Sequence, residues 1–202
     1  MGNMPMKNEY QHNDDGTTYI FIESKNKNAP GVHAAIVDTK HWDKVKGYRW
    51  CIVKNNKHRY PYVVTTIPHP DGGWQRRADG SRRKRRTSLY LHRAILGKPK
   101  EGKEIDHINH NGLDNREENL RSVTRSQNVW NSRSQENSSS RYKGVSWKKQ
   151  ENRWRSTIFY NGKQINIDQF ICEEQAARAH DKKALELYGE YACINFPRED
   201  YL

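Results

Sequence analysis

Residues 104–120, Glu104-Ile105-Asp106-His107-Ile108-Asn109-His110-Asn111-Gly112-Leu113-Asp114-Asn115-Arg116-Glu117-Glu118-Asn119-Leu120, set a carboxylate directly beside a histidine and follow the pair with ordered asparagines. A carboxylate is a hard oxygen ligand for a divalent cation. An imidazole with an ordinary pKa near 6.5 offers a neutral base at pH 7, provided something holds its other nitrogen. Those are the two needs of phosphodiester hydrolysis: a cation for the developing charge and a base for the proton of water. In isolation the same residues also suit an ordinary turn, because Asn, Asp and Gly bond their own backbone and Asn111-Gly112 is a turn dipeptide.

The order of residues around this stretch is more specific than its composition. Leu91-His92-Arg93 precedes a turn at Gly97-Lys98-Pro99, then come Asp106-His107, Asp114-Asn115-Arg116, Asn119-Leu120 and finally Arg125-Ser126-Gln127-Asn128. This succession resembles the HNH endonuclease family, in the phage and intron branch whose third signature position is often asparagine rather than histidine, and Asn128 occupies it here. The resemblance implies a ββα-metal fold with Asp106 at the end of a strand and Asn128 on the closing helix. It implies Asp106 and Asn128 as ligands of one divalent ion, Mg²⁺ or Mn²⁺, His107 as general base, and Asn119 as the group that orients the imidazole. His110 is a rival base or ligand, but reads better as a turn or phosphate-facing residue, and His92 reads as structural or as a DNA contact.

A second resemblance covers the C-terminal part. Arg141-Tyr142-Lys143-Gly144-Val145-Ser146-Trp147, Arg153-Trp154-Arg155-Ser156-Thr157-Ile158, Asn161-Gly162-Lys163 and Gln169-Phe170 look like the sheet of an AP2 DNA-binding domain. Glu173-Glu174-Gln175-Ala176-Ala177-Arg178-Ala179-His180-Asp181 is similar to its helix, and Gly189 to Pro197 to its ending. The family implies a three-stranded antiparallel sheet in the DNA major groove, backed by one helix. Periodicity agrees: Trp154, Ser156 and Ile158 alternate with Arg153, Arg155, Thr157 and Phe159, and Ile165 and Ile167 alternate with Gln164 and Asn166. The outward set, Ser146, Lys148, Arg153, Arg155, Thr157, Gln164 and Asn166, is where DNA should be touched. Ser146, Gln164 and Asn166 depart from the arginines and tryptophans expected of plant members, so the plant sequence preference does not transfer.

The charge fits a polyanionic partner. Lys plus Arg number 36 against 24 acidic residues, a net charge of +12. Residues 1–131 hold 24 basic and 14 acidic groups, or +10, and the remaining 12 and 10 give only +2. Much of the excess lies in Arg76-Arg77 and Arg82-Arg83-Lys84-Arg85-Arg86, on either side of an Asp79-Gly80 turn. We read Arg82, Arg83, Arg85 and Arg86 as phosphate contacts on a basic hairpin that leads into a strand from Thr87 to Leu91; a nuclear-localisation signal is the competing reading.

The elements that must position these groups give an α+β chain. A β-rich N-terminal region with strands near residues 19–22, 33–37, 49–53 and 60–64, and a short helix over Asp38–Val45, leads into the ββα-metal motif. The AP2-like sheet and helix follow. The expected domains are a disordered tail at 1–16, a nuclease region at 17–131 with its motif at 91–131, a polar linker at 132–140 and a DNA-binding module at 141–198. Trp42, Trp50, Tyr60 and Tyr62 suit a small aromatic core better than base stacking. Cys51, Cys172 and Cys193 lack metal-ligand spacing and point to reduced thiols. No apolar run approaches membrane-spanning length, so the expectation is a soluble, intracellular protein, in host cytoplasm if phage-encoded, without a membrane partner or small-molecule cofactor. Double-stranded DNA is the expected partner, bound by a monomer that nicks one strand. The alternative from another class is a non-catalytic AP2-type transcriptional regulator.

Overall fold

The computed structural model describes residues 8–54, 60–134 and 138–202. Contacts divide the chain into two compact units between Val123 and Thr124, ahead of the expected linker. Both mix helices with small sheets, four of them three- or two-stranded ladders with antiparallel pairings.

The first unit opens with β1 (Tyr10–His12), β2 (Thr17–Asn26) and β3 (Ala29–Asp38), an antiparallel sheet in the order β1-β2-β3. This corrects the expected tail: residues 1–7 lie outside the described residues, but Tyr10 to His12 pair with Ile20 to Thr18. All three residues of β1 are exposed, so no apolar alternation announced them. In β2, Thr18, Ile20, Ile22 and Ser24 face inward while their neighbours face out, the pattern of a half-buried strand. A 3-10 turn (Thr39–His41) runs into α1 (Trp42–Val45), where the short helix was expected.

Next come β4 (Cys51–Val53) and β5 (Tyr62–Pro68), then β6 (Trp74–Arg76) and β7 (Arg82–Lys84), then β8 (Arg86–Tyr90). β4-β5-β8 form one sheet, and β6-β7 form the basic hairpin that the Asp79-Gly80 turn implied. The strand expected to reach Leu91 stops at Tyr90. Leu91 begins α2 (Leu91–Leu96), because Leu91, His92 and Ile95 are buried with helical spacing rather than strand alternation. The core gathers Ile20, Ile22, Val37, Trp50, Val63 and Leu91, and the Trp50 indole N–H is satisfied by Val45 O at 3.0 Å. Trp50 is thus a core residue, as expected.

β9 (Lys103–His107) and β10 (Leu120–Thr124) pair with each other, joined by the loop that carries the asparagines and by a 3-10 turn (Glu117–Asn119). The edge of β3 holds that loop: Ile36 N–H donates to Leu113 O and Asn115 N–H to Ile36 O, both at 2.8 Å. The β2-β3 hairpin, to which no site was assigned, therefore holds the loop through Ile36.

The second unit begins with α3 (Arg125–Trp130). Thr124 accepts from Gln127 N–H at 3.2 Å and the Gln127 side chain accepts from Thr124 N–H at 2.8 Å, a capping box. β11 (Val145–Lys148), β12 (Arg153–Tyr160) and β13 (Lys163–Phe170) form an antiparallel sheet in that order, followed by α4 (Glu173–Tyr188). Asn161 and Gly162 adopt φ of 50° and 75°, the left-handed pair that a tight hairpin requires. The small side chains of Ala176, Ala177 and Ala184 let α4 approach Val145 and Ile158 closely. Trp130 stacks on Tyr188 with ring centroids 4.7 Å apart and planes 10° apart, so α3 is part of this unit's core. Of the expected linker, residues 135–137 lie outside the described residues. At its end Ser140 is buried, donating to Glu173 at 2.7 Å and accepting from Tyr142 N–H at 3.0 Å.

Candidate active site and nucleic-acid interface

His107 closes β9 at only 5% exposure. Its Nε2 lies 3.3 Å from Asn115 Oδ1, and Asn115 is fully buried. Asn115 Nδ2 donates to Gly112 O at 3.3 Å, which fixes the amide so that its carbonyl oxygen faces the imidazole. A carbonyl oxygen can only accept, so His107 Nε2 carries the proton and the lone pair resides on Nδ1. Burial pushes the His107 pKa below its ordinary value, against the opposing pull of the Asn115 bond and of Asp106 and Asp114. The neutral, proton-accepting form is favoured.

The Asn119 side chain, expected to orient the imidazole, makes its bonds within the loop. Its Oδ1 accepts from Asn109 N–H at 3.0 Å, and its Nδ2 donates to Asn109 Oδ1 at 3.0 Å and to Asp114 O at 2.8 Å. The amide is committed to holding the loop closed, and Asn115 takes the place beside the imidazole. Asp114 anchors the other side of the loop: burial opposes its ionisation, but the Arg116 hydrogen bonds and charge outweigh that and hold its carboxyl below the usual range. Gly112 passes so close to β5 that a Cβ there would sit 2.4 Å from Pro61 O and 2.9 Å from the Tyr62 ring. Only glycine lets the loop pack there.

Asp106 is 8% exposed, and Arg121 of β10 reaches its Oδ2 with Nε and Nη2, both at 3.0 Å. This pairing joins the two strands and sets the carboxylate's orientation. Arg121 was not singled out in the sequence, although its place one residue after Leu120 puts it on the strand opposite Asp106. Asn128, the other expected ligand, is half-buried on α3, in the second unit. His110 sits in the loop with φ of 65°, a turn conformation, as its turn reading anticipated.

An aromatic shell surrounds the imidazole. The His92 ring meets His107 edge-on at 5.2 Å and stacks on Tyr90 at 5.4 Å, and the Tyr62 ring lies 5.8 Å from His107. Burial, with the charges of His107 and Arg93 adding, pushes the His92 pKa down to about 3. In the unfolded chain it protonates near 6.5, so below that pH the unfolded state takes up a proton that the folded state refuses, and stability falls as pH drops toward 3. We expect His92 to cost the first unit about 2 kcal/mol at pH 5 relative to pH 7. Urea denaturation at the two pH values checks this, and His92→Gln should remove roughly that part of the difference.

Among the described residues, Asp38, His41 and Glu117 form a second group of donors, all within 4.8 Å of one another and able in principle to hold a metal ion. Glu117 Oε2 already meets the Lys40 ammonium and His41 Nε2, and Asp38 Oδ2 accepts from Glu117 N–H at 2.7 Å. Lys40 thus supplies a positive charge where a cation would sit.

Arg82 and Arg83 are exposed on β7, and Arg85 and Arg86 are exposed at the start of β8, with Arg86 donating to Thr66 O at 2.7 Å. Arg82 stands directly opposite Arg76, a like-charge cross-strand pair that is unfavourable until an anion neutralises it. On the sheet of the second unit, Arg153, Gln164 and Asn166 are exposed and Lys148, Arg155 and Thr157 half-buried, all on the face away from α4.

The HNH endonuclease family model matches residues 90–130. An uncharacterized HNH endonuclease of Acanthamoeba polyphaga mimivirus is 33% identical over 166 residues, which cover 80% of this chain and 74% of that protein. Protein 3.8 of Escherichia phage T7 is 33% identical over 107 residues, 53% of this chain and 88% of the relative. The C-terminal region is similar to APETALA2-like protein 2 of Oryza sativa, 41% identical over 63 residues that span 31% of this chain and 14% of the plant protein. HNH nucleases generally use a divalent metal, and both similarities imply DNA as substrate or binding partner. No described helix is long and apolar enough to cross a membrane. The match across most of the mimivirus protein, together with a strand end that buries His107 beside Asp106, establishes that this chain belongs to the HNH endonuclease family and carries an AP2-like region after its nuclease motif.

Proposed function

We propose that the chain is a metal-dependent DNA endonuclease of the homing type that nicks one strand and is targeted by its AP2-like sheet. The observation that carries this reading is the His107 imidazole, buried beside Asp106 at the end of β9 with its Nε2 3.3 Å from Asn115 Oδ1. In the mechanism, the His107 imidazole takes a proton from a water that attacks the scissile phosphorus, the bond to the 3′ oxygen breaks, and the departing oxygen takes a proton from solvent water. The products are 5′-phosphate and 3′-hydroxyl ends. The loop bonds of Asn119 and Asp114 keep Asn115 in place through the step. A divalent ion, Mg²⁺ or Mn²⁺, would supply positive charge for the phosphate and the departing oxygen. The Asp106 carboxylate and the Asn128 amide oxygen, both hard donors, are its proposed ligands.

One such centre per chain cuts one strand, so a monomer on DNA is proposed to nick, with Arg82, Arg83, Arg85 and Arg86 gripping phosphates. The test uses supercoiled plasmid with Mg²⁺, Mn²⁺ or EDTA. Conversion to open circles before linear forms, in either metal and not in EDTA, is expected. Binding without cleavage in both metals would favour a transcriptional regulator instead.

A further inference from the structure

The outward face of the β11-β12-β13 sheet is chemically polarised along its length. At one end lie Lys148, Arg153 and Arg155, with Arg153 in register with Lys148 and Arg155 in register with Gln169. Arg155 Nε is buried without a hydrogen-bond partner. At the other end, next to the Asn161-Gly162 turn, Phe159 stands in register with Gln164 and Thr157 with Asn166. Residues in register share a face, so Phe159, Gln164, Thr157 and Asn166 form one patch. Phe159 is 58% exposed, on a strand whose inward positions are filled by Ser156 and Ile158. A phenylalanine on that face contributes nothing to the core, and its exposure costs the free protein solubility without an evident structural return.

The patch borders a recess of about 530 Å³ whose wall includes Thr157, Phe159 and Gln164 and, from α3, Arg125, Ser126 and Val129. Arg125 is exposed there and adds a guanidinium to an end of the sheet where the exposed Lys163 begins β13. In the major groove, arginine pairs with the two acceptors of guanine, an amide side chain pairs with the acceptor and donor of adenine, and an apolar side chain meets the thymine methyl. Phe159 and Gln164 side by side therefore match the two partners of one A·T pair.

We propose that this face reads two kinds of base pair: G·C at the Arg153 and Arg155 end, and A·T at the hairpin end, with Gln164 on adenine and Phe159 on the thymine methyl. The inference rests on the reading that this sheet meets DNA, and it names the target class. Arg155 and Phe159 are four residues apart on one strand, roughly 13 Å, which corresponds to about four base pairs along the groove. Plant-type preference is not expected, because the strand residues at the amide end, 157–166, include no arginine to read guanine.

The experiment selects duplexes with the full-length chain in EDTA from a pool whose central 20 or so base pairs are randomised, then replaces thymine by uracil in the selected duplex. Expected are a G·C position and an A·T position about four base pairs apart. Uracil at the latter should weaken wild-type binding about fourfold, the worth of one buried methyl. Phe159→Ala should not respond to that exchange, and Phe159→Leu, which keeps an apolar surface, should. Gln164→Ala should reduce preference for that pair roughly tenfold. Selected sites without an A·T position, or an equal uracil effect in wild type and Phe159→Ala, overturn the inference while leaving DNA binding intact. Failure of the chain to bind duplex DNA at all overturns the underlying reading as well.

Discussion

His107→Ala is expected to lower DNA cleavage by roughly 10³-fold, within the range that loss of a general base produces, while leaving duplex binding in EDTA within about twofold. The contrast is informative because His107 is buried at the end of β9 and makes no contribution to the charged surface. Asn115→Ala should lower cleavage by about tenfold to a hundredfold, the usual scale for a residue that only orients a catalytic imidazole. Added imidazole should partly rescue His107→Ala and not Asn115→Ala. Asn119→Ala is expected to behave differently again, because its amide makes three bonds within the loop and none to the imidazole. It should lower the stability of the first unit by about 1–3 kcal/mol, with cleavage recovering at low temperature. Nicking assays at two temperatures beside denaturation curves separate the three. Equal nicking by wild type and His107→Ala would sink the catalytic assignment.

The difference between Asn115 and Asn119 shows where sequence reading runs out. Both are asparagines on the same loop, and either could reach an imidazole. Which one does depends on the path of the loop, and that path is set by backbone bonds to Ile36, a residue far away in the chain. No local spacing encodes such a bond. The same holds for Arg121 on Asp106, a cross-strand pair, and for the packing of His92 and Tyr62 around His107. By contrast, the sheet of the second unit was legible almost residue by residue. Alternation along β12 separated Trp154, Ser156 and Ile158 from Arg153, Arg155 and Thr157, and Asn161-Gly162 marked its hairpin. There the determinants are neighbours in sequence. β1 escaped notice for another reason, since its three exposed polar and aromatic residues show no apolar alternation, and its side-chain contacts, His12 with Thr18 and Tyr10 with Trp42, are to residues outside the strand.

The linker illustrates a further limit. A run of serines and asparagines looks like a spacer, but Ser140 is buried and Trp130, before the run, stacks on Tyr188, the last residue of α4. Composition records which side chains lack apolar surface. It does not record which of them make bonds that a folded partner segment requires.

Asp181→Ala should remove the largest single contribution to the second unit. Asp181 is fully buried on α4 and its carboxylate gathers the C-terminal segment: Asn195 N–H at 2.7 Å, Phe196 N–H at 3.0 Å, the Asn195 amide at 2.8 Å and the Tyr201 hydroxyl at 2.9 Å, with His180 Nδ1 at 3.2 Å. Asn195 in turn accepts from Lys143 N–H at 2.7 Å, so one carboxylate ties the start of the sheet to the end of the chain through the helix. Alanine leaves several buried donors without a partner, each costing about 1–3 kcal/mol, and the sum should reach roughly 3–5 kcal/mol after relaxation. A domain of this size has about 5–10 kcal/mol in total, so the melting temperature of the second unit should fall on the order of 15–30 °C. Hydrogen exchange on the full-length chain should then show loss of protection across β11 to α4, with the first unit unchanged. Asp181→Asn, which keeps one acceptor oxygen but turns the other into a donor facing donors, should lie between the two. A variant with unchanged protection would show that backbone packing of the C-terminal segment, rather than this carboxylate, holds the module closed.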